Sequence, residues 1–379
     1  MINQNQFNLL RLIRSDNIGV VTFNKLLKKY STAENIIKNI EVINKPLKRK
    51  IILISEKEVQ TELKLLENLG GEVLFQDDER YPEKLKQINE APLVLSCLGD
   101  ISLLQKTQVG MVGSRAVSTM GKKVTRKLAG TLVKKGYVVT SGMARGVDAL
   151  AHFGALDENG KTIAVLGSSV DFVYPAENKE LYQSILNNGG LIISENRTGS
   201  GIVSKHQFPK RNRSIAALSE GVVITECGKR SGSLITARLA LEMGKELFVI
   251  PGHPLDKHFE GSNELLKQSC AYITTSVDDI LEQLESPKSF KPIKTKEELK
   301  RIDLFKIKEE KLEDEFVISS KDKLTEDLEV IDVILDIPQT VDEIIRLTGL
   351  TESEVASQIT MLELEGKINR VAGGSVVAV

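Results

Sequence analysis

Apolar residues recur at helical spacing in FNLLRLI, VVTFNKLLKKY and VQTELKLLENLGG, with Asn17-Ile18-Gly19 as a turn between the first two. An apolar repeat of three to four residues marks one buried helix face, so residues 1–77 are predicted to form a small helical module. Residues 78–107 carry Tyr81-Pro82 and Ala91-Pro92, whose prolines fix φ and end helices, and read as a connecting segment. From Gln108 to about Leu284 the pattern changes to short β-branched runs, at 109–114, 137–142, 162–168, 191–195, 222–227 and 247–252. Each run is followed by a glycine or small polar turn and then a helical pattern. Strands that are apolar throughout and alternate with helices predict an α/β fold, a Rossmann-like, doubly wound, mostly parallel sheet covered on both faces over residues 108–284.

About half of residues 285–326 are charged, with the signs balanced and prolines at 287 and 292, which predicts a linker. Residues 327–379 return to a compact pattern: three short helices, then two short strands around Gly373-Gly374, the order of a winged helix.

The 379 residues are enough for two or three domains, and 41% hydrophobic with 27% charged residues is the balance of a soluble globular chain. No apolar run approaches the roughly 20 residues of a membrane span, and the N-terminus lacks the pattern of a secretory signal, so a cytoplasmic location is expected. Cys97, Cys227 and Cys270 are odd in number and far apart, which predicts buried, reduced thiols and no zinc site. His152, His206, His253 and His258 show no metal-binding spacing, and neither a metal nor a cofactor is expected.

A net charge of −1 points to no polyanion, but its distribution does. From Asn196 to Ser219 there is no acid, while Arg197, Lys205, Lys210, Arg211 and Arg213 are basic, a local field suited to phosphates. In open parallel sheets ligands bind beyond the carboxyl ends of the strands, so the residues after each strand are the place to look. The first run ends in Gly113-Ser114-Arg115 before a helix expected near Thr119. The spacing fits neither a dinucleotide fingerprint nor a Walker A loop, and leaves Ser114 and Arg115 exposed at a helix N-terminus, where both can face one phosphate. The second run ends in SGMARGVDALAH, where Arg145 either faces a ligand or pairs with Asp148 to hold the turn. Phe208 among cations suits a stacked base, the alternative being a place in the core, which is commoner for a lone Phe, and Arg213 is expected to begin the next helix. After the fifth run, Ser231 and Ser233 either cap the next helix or, with Lys229 and Arg230 beside them at the sheet edge, form a second anion contact, and Asn263 is expected on the same edge. Glu195 and Glu226, at strand ends, are each expected to pair with a nearby arginine.

GSR at 113–115, SGMARGVDALAH at 141–152, FPKRNRSIAALS at 208–219, SGSLITARLA at 231–240, PGH at 251–253 and GSN at 261–263 resemble the bacterial DNA-processing protein A (DprA/Smf) family. The resemblance spans essentially the whole chain, including a helix-hairpin-helix-like N-terminal module and a winged-helix tail. It implies a non-enzymatic protein that binds incoming single-stranded DNA in natural transformation, protects it and loads the RecA recombinase. It also implies a homodimer formed through the Rossmann-like domain. It assigns DNA contact to Ser114, Arg115, Lys205, Phe208, Arg211, Asn212 and Arg213, to which the charge pattern adds Lys210. The family pattern is departed from at Gln268-Ser269-Cys270 and Ser169, near turns or the dimer side. The alternative on such a sheet is a nucleotide phosphoribohydrolase, whose PGGxGTxxE run is absent. The expected recognition helix, 351–366, carries Glu352, Glu354, Glu363 and Glu365 with no Lys or Arg, which points to a protein partner and away from duplex DNA.

Overall fold

The computed structural model describes residues 2–201, 207–285, 340–341, 344–345, 351–364, 368–371 and 375–378. Lys205, the charged linker and the first helix expected in the winged-helix region lie outside the described residues. The chain divides into two compact units, residues 1–316 and 317–379.

The first unit opens with helices α1 (Gln4–Ile13), α2 (Val20–Tyr30), α3 (Ala33–Lys38), α4 (Ile40–Asn44) and α5 (Glu56–Asn68). Capping boxes start two of them: Asn3 with Gln6 for α1, and Ser55 with Glu58 for α5. Their apolar faces enclose Leu10, Leu12, Phe23, Ile36, Val59 and Leu66, and the same cluster continues onto Val94, Leu98, Leu166 and Ile192 of the sheet. The helical module is therefore welded to the sheet by a shared core.

Nine strands build that sheet: β1 (Gly71–Phe75), β2 (Val94–Gly99), β3 (Gln108–Val112), β4 (Val138–Ser141), β5 (Thr162–Leu166), β6 (Leu191–Ser194), β7 (Gly221–Ile224), β8 (Glu246–Val249) and β9 (Tyr272–Ile273). Their spatial order is β1-β2-β6-β5-β4-β3-β7-β8-β9. From β6 to β9 every pairing is parallel, while β2 runs antiparallel to both β6 and β1. The six expected strands are β3 to β8. The expectation that residues 1–77 are helical and 78–107 only a connection is corrected by β1 and β2, whose apolar runs add two antiparallel strands to one edge.

The intervening helices are α6 (Glu83–Lys86), α7 (Thr119–Lys134), α8 (Val147–Asp157), α9 (Lys179–Asn187), α10 (Gln207–Leu218), α11 (Ser233–Glu242), α12 (Glu260–Lys267) and α13 (Val277–Glu285). Side chains alternate across the sheet as the pleat requires. Val109, Met111 and Val223 pack with Leu128, Ala151 and Ile280, whereas Val222 and Ile224 pack with Ile215, Ala237 and Leu234. The chain winds from β3 through β4 and β5 to β6 in one direction, then through β7 to β9 in the other. The direction reverses between β3 and β7, the point at which such sheets open a crevice for ligands.

Cys97, Cys227 and Cys270 are buried thiols. Among the described residues no helix is long and apolar enough to cross a membrane. In the second unit, α14 (Glu352–Leu364) precedes the antiparallel strands β10 (Ile368–Val371) and β11 (Ser375–Ala378). Val355, Ile359, Leu362, Ile368 and Val376 form its core with Ile344.

Candidate nucleic-acid interface

The carboxyl edge of the sheet is built from loops locked to one another through backbone groups. Ser114 donates its N–H to the Glu226 carbonyl (2.8 Å), and its own carbonyl accepts from Val147 at the start of α8 (3.1 Å). Its hydroxyl closes a turn by donating to the Ala116 carbonyl (2.7 Å). Gly146 has φ +74°, and a Cβ there would lie 2.3 Å from the Ser114 carbonyl oxygen and 2.6 Å from that of Arg115, so only glycine lets the two loops meet. The outcome is a rigid Gly113-Ser114 turn that leaves Arg115 exposed, with no salt-bridge partner among the described residues. Across the switch point, Lys229 and Arg230 are exposed in the same way. The Ser231 and Ser233 hydroxyls bond each other at 2.7 Å, and the buried Ser233 also donates to Cys227 Sγ at 3.3 Å. Asn263 exchanges two hydrogen bonds with the Gly252 backbone, at 3.1 and 3.2 Å, and so holds the carboxyl end of β8.

The motif around Phe208 lies on a helix, not in a loop: α10 begins at Gln207, six residues before the expected start at Arg213. Phe208 stands over Gly167 at the end of β5, where a Cβ would come within 3.0 Å of its ring. The Arg211 guanidinium lies 5.9 Å from the Phe208 centroid, and the Tyr174 ring, tilted by 51°, is also 5.9 Å away. Arg211 differs most from expectation. It is buried, and its Nη1 donates to the carbonyls of Gly142 and Val165 (2.9 Å to the latter), tying the ends of β4 and β5 together. A Cβ on Gly142 would lie 1.9 Å from that Nη1, so a side chain there would displace the guanidinium. Burial pulls the Arg211 pKa down while Asp148 opposes the shift; burial likewise pushes the Asp148 carboxyl up, against Arg211 and the Ala144 and Gly142 N–H groups. A guanidinium committed to two carbonyls positions Phe208 and is not presented to solvent. Asn212 accepts from Arg211 Nε at 3.0 Å, while Lys210 is exposed.

Arg213 is half-buried beside Glu90 (3.4 Å) and Glu195 (3.8 Å), which confirms the arginine partner expected for Glu195. Burial pushes the Glu195 carboxyl up, opposed by Arg213 and by a hydrogen bond from Ser214 Oγ (2.8 Å). Two expected pairings are corrected. Arg145 bonds Glu177, with Nη2 2.7 Å from Oε2, because Asp148 turns inward to cap its own loop. Glu226 pairs with no arginine among the described residues: its buried carboxylate accepts from the backbone N–H and hydroxyl of Ser118, the N-cap of α7.

Two elements escaped the sequence reading. Arg14, after α1, forms a buried ion pair with Glu62 of α5 (3.0 Å) and donates to the Glu195 carbonyl (2.6 Å). Glu62 in turn accepts from the Thr198 N–H (3.3 Å), so the helical module grips the strand end that leads into α10. Tyr174 is the other, and its only signal was a place in the loop that follows β5.

The model of the DNA recombination-mediator protein A family matches residues 72–285, more than half the chain. The chain belongs to this family. The DprA-like N-terminal HHH domain matches residues 3–64 and the DprA winged helix domain residues 321–374. Protein Smf of Escherichia coli (strain K12) is 33% identical over 86% of this chain and 83% of its own length. The crystal structure of DNA processing protein A from Streptococcus pneumoniae superposes with a TM-score of 0.63 at 31% identity, covering 76% of this chain and all of that one. DNA processing protein A from Helicobacter pylori, a structure described for its single-stranded DNA binding mode, gives a TM-score of 0.52 at 35% identity over 57% of this chain and 95% of that one.

Proposed function

We propose that this DNA-processing-family chain is a sequence-tolerant single-stranded DNA-binding protein, without enzymatic activity, that protects incoming strands and loads the RecA recombinase. The observation that carries this reading is Arg115: an exposed guanidinium at the sheet's switch point, held on a rigid turn and unpaired among the described residues. Lys229 and Arg230 flank it, and Lys210 with Phe208 lies further along the same edge. From β5 to β7 the edge spans about 15 Å at the usual strand spacing, room for several nucleotides. Cations in a row can follow a phosphate backbone, while an aromatic ring accepts any base, so affinity is independent of sequence. The Helicobacter pylori relative's single-strand binding supports the same reading, and the family's description as a recombination mediator supports transfer to RecA.

A homodimer through the Rossmann-like domain has support in apolar side chains left open near β8 and β9, Leu255 (87% exposed) and Ile273 (64% exposed). In the winged-helix unit, α14 carries Glu352, Glu354 and Glu363, of which Glu363 is paired with Arg370 (2.9 Å). An acidic helix repels phosphates, so its partner is a protein.

The test is a salt titration of binding to fluorescent oligo-dT and to a duplex of equal length. Three to five neutralised phosphates give a slope of log affinity against log salt of roughly −2 to −3.5 on the single strand. A slope near zero, or equal affinity for duplex, sinks the reading. RecA loading is then read as faster filament assembly on strands coated with single-strand-binding protein.

A further inference from the structure

The aromatic surface at this edge does not end at Phe208. One side of that ring rests on Gly167 and the Arg211 guanidinium approaches it, so much of its area is already covered. Tyr174, 37% exposed, is in contact with it, and the same loop carries Phe172, 36% exposed. Two open rings on one short loop are a large apolar surface for a chain that is only 4% aromatic. The loop that bears them is fastened, not slack. Ser168 Oγ donates to the Phe172 carbonyl (2.7 Å), Tyr182 Oη to the Val170 carbonyl (2.6 Å), and Asn178 Nδ2 to the Met143 carbonyl (2.8 Å). Such bracing presents a ring with little ordering cost on binding.

We propose that Tyr174, extended by Phe172, is a second base-stacking platform that takes the nucleotide adjacent to the one at Phe208. This rests on the single-strand-binding reading given above. Continuity with that site is direct, because Tyr174 and Phe208 are in ring contact, and the exposed cations of the same edge supply the charge a strand needs. The geometry also selects the occupant. Bases stacked in a duplex rise by about 3.4 Å, whereas the two ring centroids are 5.9 Å apart with planes inclined by 51°. Successive bases reach both rings only after unstacking from each other, which a single strand does readily and a duplex does not. The platform therefore contributes to discrimination between the two forms, not only to affinity.

The chain has no tryptophan, so Tyr174→Trp introduces its sole indole, whose emission is quenched when a base stacks on it. Oligo-dT is expected to quench that emission saturably, with a midpoint matching the binding curve from fluorescence anisotropy, and duplex is expected not to. Tyr174→Ala is expected to weaken oligo-dT binding about tenfold while leaving the salt slope unchanged, and Tyr174→Phe to retain wild-type affinity. If wild type binds oligo-dT, Arg115→Ala weakens that binding, and yet Tyr174→Ala binds as wild type with no quenching in Tyr174→Trp, the platform is refuted and the function stands. If Tyr174→Ala alters only the oligomeric state, the surface belongs to a protein contact and the platform is likewise refuted. If wild type binds no oligo-dT, both fall together.

Discussion

The Glu226 carboxylate accepts from the backbone N–H of Ser118 at 2.9 Å and from its hydroxyl, so a buried protein carboxylate occupies the N-terminus of α7. That helix follows the switch-point strand, where a mononucleotide's phosphate would otherwise meet the helix dipole. The phosphate-like position is thus filled from within. The chain is expected to bind AMP and NAD negligibly by calorimetry and to release no free base from nucleoside monophosphates. Release of base would restore the hydrolase alternative.

Glu226→Ala removes two charge-assisted hydrogen bonds from a buried site and leaves Ser118 without its partner. A loss of about 2–3 kcal/mol in urea unfolding is expected. Unchanged stability would mean that Ser118 caps the helix unaided.

Arg115 and Arg211 should separate binding from folding. Arg115→Ala removes an exposed side chain, so unfolding free energy should stay within about 0.5 kcal/mol of wild type. Its oligo-dT affinity should nevertheless fall roughly 10- to 100-fold, with the salt slope shallower by about 0.7. Arg211→Ala exposes the Gly142 and Val165 carbonyls and strands Asp148, and should cost roughly 3–5 kcal/mol in stability. Arg211→Lys should recover only part of it, because an ammonium lacks the planar fork that spans both strand ends.

The buried ion pair of Arg14 and Glu62 ties the helical module to the carboxyl end of β6. Glu62→Gln leaves the Arg14 charge without a compensating carboxylate and should destabilise the unit by about 3 kcal/mol or more. Pairing it with Arg14→Met should return part of that loss, since no bare charge then remains. A double variant no better than the single would show that the pair's worth lies in its hydrogen bonds to Glu195 and Thr198.

His152 sets a pH dependence. Its Nδ1 lies 2.7 Å from Thr162 Oγ1, which itself donates to the Val139 carbonyl, so the ring donates from Nδ1 and its buried Nε2 has no partner among the described residues. Burial pulls its pKa down to about 3. The unfolded chain takes up a proton near pH 6.5 that the folded protein refuses, so stability falls as pH drops from 6.5 toward 3. Between pH 7 and pH 5 the loss from this group should be about 2 kcal/mol. Asp148 and Glu195, with raised carboxyl pKa values, act in the opposite sense, so the measurement is wild type against His152→Gln, which should show the weaker acid sensitivity.

Strands β3 to β8 were legible because each is buried on both faces and therefore reads as an unbroken apolar run. GEVLF and VLSCLG were not, the first because it follows directly on a helical pattern and the second because Pro92 stands just before it. The start of α10 is hard to read from sequence because proline disrupts a helix interior, whereas Pro209 sits in the first turn, where the missing N–H is not needed. Ser114 and Arg115 could be picked out as a turn beyond a strand. The partners of Arg145, Arg211 and Glu226 could not, since each is chosen by residues far away in sequence that the crossovers bring alongside.

The order of the strands also has a consequence in time. Val109 of β3 pairs with Val139 on one side and with Gly221 on the other, about a hundred residues later in synthesis. Until β7 has left the ribosome, the Glu226 carbonyl that holds Ser114 does not exist, and Arg115 projects from an unsupported turn. Contacts so distant in sequence form late. A growing chain therefore acquires the fixed geometry of this turn only once β7 has emerged.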